Sequence, residues 1–405
     1  MAKGAWWFAV LLFPAVVSGQ PWEFESPIAV SPEASEGIFH HLDASGRRHV
    51  ASHHGSIVVV WEDNSEGSPA VYAAIMPVAG LDFTRVRISG RGEAFEPVVT
   101  SVGEDAFIIG WEEDGAVWTR LLRGTTPGEP LMLAEDAGQL CLETGPSGRD
   151  VYAVWSQRRQ HYHHIRSGRI ALARGVPLLQ ETRWVDDHHG GADQSHPVAV
   201  YHQGLDALLV VWEDRRFRNT VLMSAAGTPA GRFSIPMQVN ELGPPRAADY
   251  GRGTGVARAA AAAHDDHVVA VWADKRHFRF GYDIYAAVAR YSGRFGDNGL
   301  VQDGFAEGFE QWHAGISSGG GRLAVAWDDD RDGTSDVWLS WQTPSGWSDD
   351  LAVPGAAGPG NDSHPALALD RAGELHLVWT TRAAPDAPTR LWYLHGRLRA
   401  GASTP

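Results

Sequence analysis

The sequence predicts an all-β fold, a seven-bladed β-propeller with four antiparallel strands in each blade. The first observation is a short apolar strand that ends in tryptophan and occurs seven times, as in IVVVW and LLVVW. The second is its regularity, because the copies recur at a mean spacing of 53 residues. One strand-rich unit in a period of this size is typical of propeller blades. The seven copies end at Trp61, Trp111, Trp155, Trp212, Trp272, Trp327 and Trp379.

Each unit follows one plan, which the last blade shows most clearly. The strand 364–370 and the strand ending at Trp379 are apolar at alternate positions, and the turn RAGE separates them. A third strand, RLWYLHG, follows, and in most units a less regular fourth strand comes after it. The predicted blades span approximately residues 46–90, 94–136, 138–187, 194–242, 254–304, 310–356 and 362–400.

The two ends of the chain predict how the ring closes. After Gly396 too little chain remains for a good fourth strand in blade 7, whereas residues 22–32 precede blade 1 without a blade of their own. We therefore expect this N-terminal segment to supply the outer strand of blade 7. Closure of this kind removes exposed sheet edges and couples the two termini.

Composition restricts the classes of function. The formal net charge of −15 argues against nucleic acid and against an anionic membrane surface as partners. Residues 1–19 predict a signal peptide, with Lys3 at its positive end and an apolar core too short to span a bilayer comfortably. We therefore expect residues 20–405 to be exported, to the periplasm or beyond, with no membrane span. We expect the single cysteine, Cys141, to be a small buried side chain. The sequence shows no oligomerisation signal, so we expect a monomer.

One repeat carries a resemblance to a known group of proteins. In blade 6 the string from Trp327 to Asp336 reads Trp-Asp-Asp-Asp-Arg-Asp-Gly, then Asp before a strand. This is similar to the Asp-box-like repeats of secreted propellers of the sialidase-like superfamily. The complete Asp-box of true sialidases is absent, and so is their Arg-Ile-Pro motif near the first blade. The resemblance therefore implies the fold and transfers no catalytic residue.

Histidines open several of the predicted inner strands. In a propeller the first strand of each blade lines the central channel, so residues that begin these strands share one mouth. Blades 3 and 5 break the pattern, with Leu140 and about Val256 at this position. Such a set could ligate Zn, Cu or Mn or supply a general base, whereas the alternative is that His-Pro simply starts an inner strand. The candidate metal ligands are His49, Glu96, His196, His313 and His364.

Acidic residues stand two positions after the repeated tryptophan in five copies, and three of these are followed by arginine. A structural Asp–Arg pair that holds the hairpin is the simplest interpretation. In blade 6 the same region also matches a calcium loop, because oxygen ligands alternate around Gly333. The candidate calcium ligands are Asp328, Asp330, Asp332 and Asp336.

Loops that follow the tryptophan in blades 3, 4 and 5 are rich in arginine, histidine and aromatic residues, as in QRRQHYHH and KRHFRFGY. Arginine forks match carboxylates and sulfates, and aromatic rings stack on sugars. Solvated loop charge is the alternative, but confinement to three blades favours a site. The candidate ligand-binding residues are Arg158, Arg159, Arg216, Arg218, Arg276 and Arg279.

Three functions follow from these features. The first is binding of an acidic polysaccharide, glycoconjugate or protein through the loop face, because propellers are common scaffolds. The second is a lyase or hydrolase acting on an acidic polysaccharide, although no pair of carboxylates suited to hydrolysis stands out. The third is a metal-dependent protein, with Ca²⁺ or a transition metal as cofactor. The candidate catalytic bases are His196, His364, Tyr162 and Tyr282.

Overall fold

The computed structural model describes residues 22–31, 36–77, 80, 82–186, 191–217, 219–241, 255–277, 281–290 and 293–399. Seven antiparallel sheets, one for each tryptophan repeat, form a ring, so the predicted seven-bladed β-propeller is confirmed. In blades 1 to 6 the strands run from the inner to the outer position in chain order, and in blade 7 the outer position is taken by the N-terminal segment. Within the described ranges no helix is long and apolar enough to cross a bilayer. The predicted signal peptide lies outside those ranges.

Each blade has the same order of strands. In the first blade the inner position is shared by two short strands, and the outer positions of blades 6 and 7 are also divided. Blade 1 contains His40–His41, Val50–His53, Ser56–Asp63, Ala70–Pro77 and Thr84–Arg87, and blade 2 contains Ala94–Val102, Ala106–Glu113, Ala116–Arg123 and Thr126–Glu135. Blade 3 contains Ala137–Thr144, Asp150–Arg159, Tyr162–Ala173 and Val176–Trp184. Blade 4 contains Gln194–His202, Ala207–Phe217, Asn219–Gly227 and Met237–Gln238.

The remaining three blades continue the pattern, and the last one includes the N-terminal strands. Blade 5 contains Val256–His264, His267–Asp274, Asp283–Ala289 and Gly299–Leu300. Blade 6 contains Gln311–Gly319, Arg322–Asp329, Asp336–Thr343, Gly346–Trp347 and Leu351–Ala352. Blade 7 contains Asn361–Leu369, Leu375–Arg382, Thr389–Leu398, Trp22–Phe24 and Ile28–Ala29.

The N-terminal segment closes the ring as predicted. Trp22–Phe24 and Ile28–Ala29 both pair antiparallel with the strand Thr389–Leu398 of blade 7. Trp22 is fully buried, packs edge-on against Trp341 of blade 6, and donates its indole N–H to the carbonyl of Gly373. The outer edge of blade 7 is therefore covered by chain from the other terminus.

The repeated tryptophans are the structural signature of the blades. All seven are buried, and each donates its indole N–H to the side chain two positions later. A buried indole N–H needs such an acceptor, which explains why an acidic residue recurs at this position. The acceptors are Asp63, Glu113, Gln157, Asp214, Asp274, Asp329 and Thr381.

A segment of blade 1 fills the centre of the ring. The inner strand of this blade is interrupted between His41 and Val50, and residues 42–49, which we call the plug, contact the inner strands of the other blades. Gly46 lies deepest: φ is +66°, and a Cβ there would meet Val198 at 2.9 Å. Arg47 donates its Nε–H to the carbonyl of Pro365 in blade 7. The plug therefore divides the channel into an upper mouth and a lower cavity.

The lower cavity has a volume of about 320 Å³ and lies where the inner strands end. Arg48 of the plug pairs there with Glu143 and donates to the carbonyl of Ala199. The upper mouth lies at the opposite end, where the inner strands begin and the tryptophan strands finish. All of the predicted histidine positions lie at the upper mouth, which we describe next.

Candidate functional site at the upper mouth

A β-bulge occurs near the start of the inner strand in blades 2 to 7. In each of these blades the pairing skips two residues opposite the repeated tryptophan. The first of the two has a left-handed backbone, with φ between 46° and 57°, which is costly for any residue but glycine. These six positions carry Glu96, Gln139, His196, Arg258, His313 and His364.

The bulges correct two of the predicted positions. Blades 3 and 5 present Gln139 and Arg258 to the mouth, whereas the sequence pattern pointed to Leu140 and about Val256. Leu140 is instead fully buried in the core. His49, expected as the equivalent in blade 1, ends the plug and is fully buried. The remaining predicted members of the ring, one glutamate and three histidines, do occupy bulge positions.

The residue directly after the repeated tryptophan also faces the mouth, and the sequence pattern did not single it out. Glu62 accepts a hydrogen bond from the backbone N–H of Glu96 at 3.1 Å, and Glu112 accepts one from that of Gln139. Glu213 does the same for Arg258 at 2.8 Å. Carboxylates of one blade thus satisfy the bulge of the next, so part of this acidic set stabilises the ring.

Burial raises the pKa of three carboxyl groups on one side of the mouth, those of Glu62, Glu96 and Glu112, whereas contacts with His196 and Arg258 lower the pKa of Glu213. Burial raises the pKa of Glu62 to about 7, and burial together with the charge of Glu112 raises the pKa of Glu96 to about 7. Burial also raises the pKa of Glu112. Oε2 of Glu96 is buried without a hydrogen-bond partner among the described residues. This side of the mouth therefore holds carboxyl groups that exchange protons near neutral pH.

Two histidines of the ring pair with carboxylates. Nδ1 of His313 lies 2.9 Å from Oδ1 of Asp328, and Nδ1 of His196 lies 3.3 Å from Oε2 of Glu213. Burial would raise the pKa of Asp328, but the contact with His313 outweighs it and the pKa falls. The hydrogen bond to Asp328 fixes the orientation of the His313 imidazole, as a general base requires, whereas Nδ1 of His196 is near Glu213 without a hydrogen bond.

The two histidines differ in the hydrogen bonding of their second ring nitrogen, Nε2. Gln139 accepts the backbone N–H of His196 through Oε1, so its amide nitrogen, 3.1 Å from Nε2 of His196, is the donor. Nε2 of His196 is therefore already engaged as an acceptor. Nε2 of His313 has no hydrogen-bond partner among the described residues, and the side chain is 26% exposed. His313 is thus the better placed of the two to exchange a proton with a ligand.

His364 and His49 are poor bases in this setting. The ring of His364 stacks on that of His313 at 3.8 Å between centroids, and Nδ1 lies 3.0 Å from Oγ of Ser363. Burial lowers the pKa of His364 to about 3 and that of His49 to about 3. Both imidazoles are therefore neutral at physiological pH.

The plug contributes a charged floor to the mouth. Asp43 pairs with Arg258 at 3.2 Å, and Arg47 lies fully buried close to Asp43 and Asp328. One guanidinium nitrogen of Arg47 and Nε2 of His49 are buried without a hydrogen-bond partner among the described residues. Unpartnered polar atoms at such a depth indicate a position for water or for polar groups of a ligand.

The metal predictions gain no support from the geometry. Among the described residues no three His, Cys, Asp or Glu side chains are grouped so that they could hold a metal ion. In the string proposed for calcium, Asp328 binds His313, Asp330 accepts the backbone N–H of Glu310, and Asp336 accepts that of Gly358. Asp332 is exposed. These carboxylates bind separate parts of the chain, on the inner strand and in the connections before and after the blade, and do not form one ligand group.

Two of the candidate ligand-binding arginines lie inside the blades. Arg216 donates from Nε and a terminal nitrogen to Asp214, at 2.8 and 2.6 Å. Arg276 donates to Asp274 at 2.7 Å and stacks 3.8 Å from the ring centroid of Tyr285. These contacts match the structural Asp–Arg pair that the sequence offered as an alternative.

The rim of blades 2 to 4 holds one of the other loop candidates, Arg158. A groove of about 390 Å³ runs from Glu96, Glu112 and Gln139 at the mouth to Arg158 and His163 at the rim. Arg158 is exposed. The groove therefore joins the predicted rim to the acidic side of the mouth.

The remaining loop candidates have separate surroundings. Arg159 lies 4.9 Å from the ring centroid of Trp184, and Tyr162 is 38% exposed. Tyr282 packs against Trp312, and burial raises its pKa. Arg218 and Arg279 lie outside the described residues. Among the candidates that the structure describes, the arginines and tyrosines do not form one cluster.

The raised pKa of Glu96 predicts how stability depends on pH. Since this pKa is about 7 in the folded protein and near 4.5 when unfolded, the folded state binds the extra proton. Its contribution is complete below about pH 4.5 and is lost as pH rises through 7. Glu96→Gln should therefore reduce the loss of unfolding free energy between pH 5 and pH 8 by about 2–3 kcal/mol. Denaturant titrations at both pH values measure this difference. Glu129→Gln, at an exposed site, is the control, and equal pH slopes in all three proteins would contradict the prediction.

Comparison with known proteins adds information about the fold. No protein-family model matches this sequence, and no curated protein is significantly similar to it. Among solved structures, a protein of unknown function from Dyadobacter fermentans has a TM-score of 0.56 at 10% identity, over 94% of this chain and 100% of that one. The polysaccharide lyase Uly1 has a TM-score of 0.52 at 10% identity, over 95% and 94% of the two chains.

A third similar structure belongs to another class of enzyme. Acylaminoacyl peptidase from Pyrococcus horikoshii has a TM-score of 0.52 at 12% identity, over 87% of this chain and 52% of that one. At such identities a similar structure shows the fold alone, so the resemblance to sialidase-like propellers is a resemblance of fold.

Proposed function

We propose that this protein binds a carbohydrate chain across its upper mouth. The observation that carries the proposal is the ring of six bulges. The fold needs a left-handed residue at each position, where glycine or asparagine is least costly, yet the chain places Glu, Gln, His and Arg there. Because a purely structural repeat has no need for such different polar side chains, their presence favours a ligand.

The lining of the mouth favours a polyhydroxylated ligand. Ordinary small-molecule pockets are mostly apolar with a few polar groups. Here the six bulge positions and the carboxylates beside them are all polar, and most residues that line the groove toward Arg158 are polar as well, with both donors and acceptors among them. Sugar hydroxyls can satisfy both kinds of group. The similarity to the polysaccharide lyase Uly1, although it shows only the fold, agrees with this class of ligand.

Charge at the mouth favours a neutral saccharide over the acidic polymer expected from the sequence. Among the described residues two guanidinium groups, those of Arg47 and Arg258, face six carboxyl groups at the mouth. Burial raises the pKa of Glu62, Glu96 and Glu112, but the pKa values of the other three carboxyl groups are lowered, so at neutral pH the carboxylates still outnumber the two guanidinium groups and a polyanion gains no net attraction. The carboxyl groups are Asp43, Glu62, Glu96, Glu112, Glu213 and Asp328. Export, a monomeric state and a ligand role for the rim arginines stay predictions.

An enzyme acting on the same saccharide is the second candidate. The observation in its favour is the combination of Glu96, a carboxyl group with a pKa of about 7, and His313, held by Asp328. A carboxylic acid protonated near neutral pH is what a glycoside hydrolase uses to protonate the leaving oxygen. Of the bases expected from the sequence, His196 is engaged by Gln139 and His364 is a weak base. His313 therefore replaces them as the leading candidate.

A glycan array followed by product analysis tests both candidates. We expect the purified protein to bind neutral oligosaccharides. Its affinity should change little between about 50 and about 300 mM salt, because added salt screens charge–charge attraction and a neutral ligand does not depend on it. Exclusive, salt-sensitive binding to uronic-acid or sulfated polymers would contradict the neutral ligand, and no binding to any glycan would overturn the proposal. Reducing-end assays and ultraviolet absorbance of unsaturated products then separate a hydrolase and a lyase from a binding protein.

A further inference from the structure

A small pocket opens beside the mouth at the seam between blades 7 and 1. Its volume is about 230 Å³, the space of roughly eight water molecules at about 30 Å³ each, which is of the order of one sugar ring. Its lining is polar apart from Leu42 of the plug. The side chains that could reach a ligand are those of His41, Asp43, Asn361, Ser363, His364 and Arg382.

The pocket ends within the seam. Its outer side is closed by His40 and Thr389, where Nδ1 of His40 lies 3.0 Å from Oγ1 and 3.1 Å from the carbonyl oxygen of Thr389. Leu42, which is fully buried, closes the floor, and the plug blocks the channel beyond it. A chain that enters this pocket therefore cannot pass through the ring or leave between the blades.

The polar groups of the pocket retain bonding capacity. Oδ2 of Asp43 accepts from Arg258, and the side chain is still 41% exposed. Arg382 uses one terminal nitrogen on the carbonyl of Pro385, and Asn361 uses its carbonyl oxygen on the N–H of Ser335. Other guanidinium N–H groups, the amide NH₂ and a carboxylate oxygen are thus left for a ligand. A carboxylate and a guanidinium facing one small volume suit the vicinal hydroxyls of a sugar.

We propose that the seam pocket binds the terminal residue of the saccharide, so that the protein recognises chain ends. The rest of the chain would cross the mouth past His364 and His313 to the groove of blades 2 to 4. This inference rests on the proposed function and adds a direction to it: one end of the ligand is enclosed, and the other leaves along the groove.

Competition between polymer and fragments tests this directly on the wild-type protein. A neutral polysaccharide that binds in the array is cleaved to a series of chain lengths, and each sample competes with a labelled oligosaccharide of the same linkage. For recognition of ends, inhibition should follow the molar concentration of chain ends, so that tenfold fragmentation raises potency per unit mass about tenfold. Inhibition that follows the mass of polymer would overturn the inference and leave the proposed function intact.

Two variants locate the site. Arg382→Ala removes donors from the pocket and should weaken binding of the labelled oligosaccharide at least tenfold with an unchanged thermal midpoint. Ser363→Phe fills the pocket and should weaken binding as strongly, with a lower thermal midpoint because Nδ1 of His364 loses the hydroxyl. Arg371→Ala, an exposed arginine at the other end of the same blade, is the matched control. Full binding by Arg382→Ala, with loss in the groove variant Glu112→Gln, would place the ligand elsewhere in the mouth. No glycan binding by the wild type would overturn both proposals.

Discussion

Replacing Asp329 by alanine is expected to lower the free energy of unfolding by about 3–5 kcal/mol. This carboxylate is buried and accepts the indole N–H of Trp327 at 3.4 Å and two N–H groups of Arg331, at 3.0 and 2.6 Å. It also accepts the backbone N–H of Arg331 at 2.8 Å. The side chain of Arg331 is only 6% exposed; it would keep Asp350 at 2.8 Å but lose Asp329, and the buried indole N–H of Trp327 would lose its acceptor. Such losses are among the largest that single substitutions cause.

Denaturant titration of the purified protein measures this loss. Asp332→Ala is the matched control, because it removes an exposed carboxylate three positions away in the same string. The structural explanation predicts less than about 0.5 kcal/mol for the control, independent of calcium. An equal loss of unfolding free energy in both variants that depends on added calcium would instead support the calcium loop that the sequence suggested.

Replacing His313 by glutamine is expected to reduce affinity for the bound saccharide at least tenfold, about 1.4 kcal/mol. The imidazole is part-exposed at the centre of the ring and stacks on His364, and Nδ1 is held by Asp328. Glutamine can still donate to Asp328, so the carboxylate keeps a partner while the ligand loses the imidazole. If the protein turns over its ligand, kcat should fall further than affinity, because the candidate base is gone.

Isothermal titration with the best oligosaccharide from the array measures this effect. Arg371→Ala again serves as the control, because it lies at the opposite end of the ring. Thermal unfolding of the variant shows whether the mouth has remained intact. Unchanged affinity and unchanged turnover in a folded His313→Gln protein would remove this residue from the site.

The fold was predictable because its signals are local. A buried tryptophan at the end of each second strand recurs with a fixed period, and the missing outer strand of blade 7 left residues 22–32 as the natural candidate. The Asp–Arg pairs were also recognisable, because acceptor, tryptophan and arginine lie within a few residues of each other. Residues this close in sequence on one hairpin are also neighbours in the folded blade, so their contacts can be predicted without knowing the rest of the fold.

The bulges were harder to position. The hairpin between the inner strand and the tryptophan differs in length among the blades, so a count back from the tryptophan misses by one or two residues. For this reason the count selected Leu140 and about Val256, whereas the bulges lie at Gln139 and Arg258. A left-handed bulge has no sequence mark when the residue is not glycine.

The plug could not be predicted, because its effect depends on the closed ring. Residues 42–49 look like an ordinary loop before a strand, and Arg47 becomes buried only when the other inner strands surround it. One signal was present: His49 precedes its tryptophan by twelve residues, whereas the other members of the set precede theirs by at least fourteen. Carboxylates such as Glu112 were missed because the visible repeat stands at the next residue, two positions after the tryptophan.

A crystal structure of the protein with a bound neutral oligosaccharide tests the central claim most directly. We expect the sugar at the upper mouth, above the plug, in contact with His313 and with its terminal residue between Asp43 and Arg382. A sugar bound in the lower cavity beside Arg48 and Glu143, or on the outer strands of the blades, would contradict the assignment of the site.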